Sequence, residues 1–101
     1  MAFQRSYQDE RGVAHPASYW RVKVSVYDPH NRESVAQMVG YANVGAASQY
    51  QSFPPLLFFC RGNDFDQYMS LTELNKVGMN PIRAWYLFIK SLPEWATVTD
   101  V

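Results

Sequence analysis

The stretch Tyr19-Trp20-Arg21-Val22-Lys23-Val24-Ser25-Val26-Tyr27, residues 19–27, decides the fold. Its side chains alternate with a period of two, and its valines are β-branched, so it predicts a β-strand. Trp20, Val22, Val24 and Val26 fall on one face, the core face. Tyr19, Arg21, Lys23, Ser25 and Tyr27 fall on the other. Two rings and two cations are an unusual face to show to water. No catalytic constellation claims them, so the reading turns on surfaces and partners.

Turn chemistry follows the strand. Asp28, Pro29 and Asn31 in DPHNRE favour a reversal, so a second strand over Ser34–Ala42 is expected to pair back as a hairpin. Val35, Val39 and Tyr41 lie on one side of it, and Ala36, Met38, Gly40 and Ala42 on the other. Both sides are nearly apolar, which predicts a central strand or one covered on both faces. Gly40 marks a bulge or a close backbone approach. Residues 43–55 form a connection in which AASQYQ has the composition of a short helical turn. LLFFC, 56–60, is a short apolar run between prolines and RGND, and its length predicts a third, buried strand.

Helices fill the C-terminal part. Asn63 or Asp64 is placed to cap DFDQYM. SLTE, 70–73, has the capping-box spacing, Ser70 three residues before Glu73, and Gly78 is a helix terminator. Asn80 caps a further helix with Pro81 at its first position. Ile82, Trp85, Ile89 and Leu92 make its apolar stripe, widened by Ala84 and Phe88 with Leu87 at the edge. Arg83, Tyr86 and Lys90 are expected to face out, and Pro93 ends the helix. The expected architecture is therefore α+β: a small three-stranded, mainly antiparallel sheet with two or three helices packed on one face. Residues 1–17 read as an extended arm with Phe3 and Tyr7 as anchors, 18–93 as the single domain, and 94–101 as a tail with an isolated Trp95.

The chain of 101 residues fits one small domain. It is 48% hydrophobic, 16% aromatic and 18% charged, against roughly 25% charged in ordinary domains. Two explanations fit. Interface cores lose charge and gain rings and arginine, and a small core needs large side chains. Net charge is zero and the pI is about 6.7, which argues against strong nonspecific nucleic-acid binding. A neutral chain also has little colloidal protection and is expected in an assembly.

Catalytic and cofactor chemistry finds little support. Cys60 is the one cysteine; within LLFFCRG it reads as a buried thiol. His15 precedes Pro16 and His30 follows Pro29, so both read as turn residues. Asp64 and Asp66 have the spacing that opens a calcium loop but lack its glycine and closing glutamate; they read as acids at a helix start. No phosphate-binding glycine motif, zinc motif or carboxylate pair in a cleft is present. The expectation is a non-enzyme without metal or cofactor. No secretory leader or 20-residue apolar span is evident, so synthesis and solubility in the cytoplasm are expected.

The opening MAFQRSYQDERGVAHPASYWRV, with VGYANVGAASQ and NDFDQYM, resembles small proteins encoded among the virion genes of tailed bacteriophages. In that family a short arm with a glycine turn leads into a His-x-x-x-Tyr-Trp strand, here His15, Tyr19 and Trp20. FPPLLFFCRG is more apolar, and TVTDV shorter, than the corresponding parts of that family. The resemblance implies a virion-associated structural protein, present in several copies in the tail or neck. It would dock onto a fibre, an adaptor or the portal region. Phe3, Tyr7, Tyr19, Arg21, Lys23, Tyr27 and Trp95 are the expected partner-binding residues. Two alternatives remain: a single-strand nucleic-acid binder using Tyr19, Arg21, Lys23 and Tyr27, or a phage protein that binds a host enzyme.

Overall fold

The computed structural model describes residues 2–9, 11–43, 45 and 52–101. Its sheet has five strands: β1 (Phe3–Gln8), β2 (Ala14–Asp28), β3 (Glu33–Tyr41), β4 (Leu56–Arg61) and β5 (Thr99–Asp100). All neighbours are antiparallel, in the order β4-β3-β2-β1-β5. Helix α1 (Asn63–Tyr68) and helix α3 (Pro81–Ser91) pack on one face. A single turn, α2 (Leu71–Leu74), lies between them, and a 3-10 turn (Pro93–Trp95) follows α3. The α+β class agrees with the sequence reading, but the expected three-stranded sheet is corrected to five. The expected short helical turn at AASQYQ, 46–51, lies outside the described residues.

The two extra strands come from the supposed arm and tail. β2 begins at Ala14, five residues before the alternation starts, and that early half gives β1 a partner. Phe3 pairs opposite Trp20, and Gln8 opposite Ala14. Asp9 closes this hairpin: its Oδ1 accepts the N–H groups of Arg11 and Val13, both at 2.9 Å. Gly12 supplies the left-handed residue there, at φ 79°. β5 then pairs with β1, and Ala2 and Val101 exchange backbone bonds of 3.2 and 3.0 Å. No apolar alternation announces either strand. Each exists because a neighbour offers an edge.

The core lies between the sheet and the helices. Trp20, Trp85, Trp95, Phe3, Phe65, Met38, Met69 and Ile89 are its largest fully buried side chains. Gly40 lies directly opposite Trp20. A Cβ at Gly40 would come within 2.4 Å of the indole, so the close approach expected at this glycine is real. Cys60 is fully buried beside this core.

The caps follow the sequence in two of three helices. Asn80 accepts from Arg83 N–H at 2.8 Å, and Ser70 from Glu73 N–H at 3.3 Å. The cap of α1 is instead Gly62, at φ 61° and without a side-chain bond. α2 stops at Leu74, short of Gly78. On α3 the buried set is Ala84, Trp85, Tyr86, Phe88 and Ile89. Ile82, in the first turn, is exposed, so the stripe stops short of it. Tyr86 faces in rather than out, toward β2. The Val22 N–H there donates to Tyr86 Oη at 2.9 Å.

Candidate docking face

Helices α1 and α3 lie on one side of the sheet, and among the described residues nothing covers its other face. A bulge in β2 sets what this face carries. Val24 pairs with Ala36, but Val26 pairs with Val35, so one residue of β2 has no counterpart. From that point the two faces exchange. Val26, expected in the core, turns outward and is 46% exposed. Tyr27, expected outside, turns inward: it lies 5.7 Å from the Phe65 ring and donates to Met69 O at 2.7 Å. That bond satisfies a carbonyl at the C-terminal end of α1.

Crosswise, the uncovered face reads in rows. Tyr19 lies beside Tyr41, Arg21 beside Val39, and Lys23 beside Gln37, which neighbours Leu57. Val26 lies beside Val35, which neighbours Phe59. Leu57 and Phe59 are 55% and 47% exposed. The face therefore has an aliphatic and aromatic half on β3 and β4, and a cationic edge on β2.

Arg21 donates through Nε and Nη2 to Tyr19 Oη, at 3.3 and 3.2 Å. That contact raises its pKa further, so the guanidinium stays charged. Neither Arg21 nor Lys23 has a carboxylate partner among the described residues. The Arg61 guanidinium lies 4.3 Å from the centre of the Phe59 ring and pairs with Glu33 at 2.8 Å. Uncommitted cations beside exposed rings are what protein interfaces use.

The other expected partner-binding residues lie elsewhere. Phe3 and Trp95 are 1% and 2% exposed, on the helix side of the sheet. Phe3 meets Tyr86 edge-on at 4.9 Å, and Trp95 meets Trp20 at 5.5 Å. Tyr7 is half-buried between Trp20 and Phe53, and lines a cleft of about 280 Å³ with Asp9, Arg11, Ser52, Phe53 and Pro54. Of the seven, the structure brings Tyr19, Arg21 and Lys23 together. It sets Phe3, Tyr7, Tyr27 and Trp95 on the opposite side.

Val26, Val35, Val39, Tyr41, Leu57 and Phe59 complete the face and were not expected there. A signal for them did exist. Both faces of β3 read as nearly apolar, and one of those faces has no cover among the described residues. For β4 the run LLFFC has apolar residues at both parities, so periodicity could not separate Leu57 and Phe59 from Leu56, Phe58 and Cys60.

Nucleophile and metal geometry can be stated briefly. Burial pushes the Cys60 thiol up to about 12. Asp66 forms a two-bond pair with Arg32, which lowers its pKa. His15 Nε2 lies 2.9 Å from Asp9 Oδ2. Among the described residues no three His, Cys, Asp or Glu side chains gather as a metal site. Among the described residues no helix is long and apolar enough to cross a membrane. Comparison with protein-family models, curated proteins and solved structures finds no match.

Proposed function

We propose that this chain is a non-enzymatic structural protein of a tailed-phage virion. Several copies dock onto larger tail, neck or fibre proteins through the uncovered face of the sheet. One observation carries the docking part: β3 sets Val35, Val39 and Tyr41 on the face that no described residue covers, with Glu33 and Gln37 as its polar residues there. Val26, Leu57 and Phe59 are each about half exposed on that side, on the same face as Arg21 and Lys23, which have no carboxylate partner among the described residues. Monomeric proteins rarely leave a contiguous apolar patch of this kind in water. The virion assignment is supported by the resemblance of the N-terminal half and of NDFDQYM to phage virion proteins.

Purified particles test the proposal. The wild-type chain is expected in the particle at a fixed copy number. Arg21→Glu with Lys23→Glu, or Val39→Asp alone, is expected to fold and yet be lost from it. Absence of the wild-type chain from purified particles overturns the virion reading. Retention of all these variants overturns the face. A salt-dependent shift of an oligonucleotide that Arg21→Ala abolishes would replace the proposal with single-strand binding.

A further inference from the structure

The two edges of the sheet are built differently. At one edge β5 is only two residues long, and its Asp100 is held by Lys90 at 2.9 Å. Short, charged edges of this kind resist pairing with another chain. At the other edge β4 is six residues long and pairs with β3 in unbroken register. It contains no proline, lysine, glycine or acid and has no bulge. Among the described residues, no backbone bond joins β4 to anything but β3. Its single charge, Arg61, sits at its end and is neutralised by Glu33. Among the described residues, the edge that carries Leu57 and Phe59 has no bulge, no proline within the strand and no covering strand.

We propose that β4 pairs antiparallel with β4 of a second copy of this chain, joining the two sheets into one ten-stranded sheet. The strand is self-complementary in that arrangement. A two-fold axis through Phe58 sets Leu57 of each copy against Phe59 of the other, on the same face. Directly opposed side chains in antiparallel strands share a face, so the helices of both copies stay on one side. Antiparallel pairing holds the two Arg61 side chains roughly 20 Å apart, six residues along the strand. Parallel pairing would set them side by side at about 4.8 Å. A net charge of zero adds no repulsion between copies.

This inference concerns the isolated chain, so it can fail while the docking proposal holds, and the reverse. Sedimentation of the purified full chain is expected to show a dimer, twice 11.7 kDa, in reversible exchange with monomer. Leu57→Lys and Phe59→Lys each place a lysine on the edge and are expected to weaken self-association about tenfold or more. Arg21→Glu with Lys23→Glu is expected to leave the dimer intact. A wild-type chain that stays monomeric up to its solubility limit overturns the proposal, and so does a dimer that both lysine variants preserve. Should a lysine variant fail to fold, amide exchange on the wild type decides. Protection in β4 is expected to rise with protein concentration, and concentration-independent exchange there overturns the pairing.

Discussion

The indole N–H of Trp85 donates to the hydroxyl of Ser34 at 2.8 Å, and that hydroxyl donates on to Val26 O at 2.7 Å. Ser34 has no solvent exposure. The relay ties α3 to the sheet beside the β2 bulge. A second relay repeats the design: Trp20 Nε1 donates to Ser18 Oγ at 2.8 Å, and Ser18 donates to Arg5 O. It too lies beside a register shift, in β1. Each buried serine satisfies an indole and a backbone carbonyl where the ladder is irregular.

Ser34→Ala removes both bonds of the first relay and strands a buried indole N–H. An unsatisfied buried donor costs about 1–3 kcal/mol. The expected result is a loss of that size in denaturant-unfolding free energy with an unchanged m-value. Ser34→Thr, which keeps the hydroxyl, is expected to recover part of it.

Gly40→Ala drives a methyl into the Trp20 ring. The indole is anchored by its own bond to Ser18, so it has little room to yield. Overpacking of this kind costs about 1–3 kcal/mol. A lowered Tm with a perturbed tryptophan emission spectrum is the expected outcome.

Cys60 is expected to be inert in the folded chain. With its pKa near 12, almost no thiolate exists at pH 8, and the thiolate is the reactive form. Modification by a thiol reagent should proceed at the rate of unfolding and become fast in denaturant. Stoichiometric labelling of the native chain within seconds would contradict the burial.

Acid is expected to destabilise the fold below the ordinary carboxylate range. Asp9, Asp28 and Asp66 are all held below 3.8, chiefly by His15, by Asn31 and by Arg32. A carboxylate with a lowered folded value stabilises the fold above its unfolded value. That contribution is lost as pH falls through the folded value. Unfolding midpoints should therefore hold near neutrality and fall below about pH 4. In Asp66→Asn the acid-dependent fall should be shallower.

The sequence made some elements legible because their signals are local. Asn80 with Pro81 fixed the start of α3, and the turn DPHNRE joined β2 to β3. Tyr86 was misread because the Val22 N–H from which its hydroxyl accepts lies far away in the chain. Phe3 and Trp95 were misread as exposed anchors because their covering partners, Tyr86 and Trp20, lie far away in the chain.

The sequence by itself determined the α+β class, the central hairpin and two of the three helix caps, since periodicity, turn chemistry and capping act within a few residues. Tertiary structure alone decided the strand count and the two faces of the sheet. β1 and β5 are strands only because β2 extends far enough to pair with β1, and β1 with β5. The bulge after Val24 is visible only in the pairing with β3, and one unmatched residue there exchanged Val26 and Tyr27. A period of two cannot carry its own phase across such a bulge, so which side chains face the bare side was settled by pairing between strands.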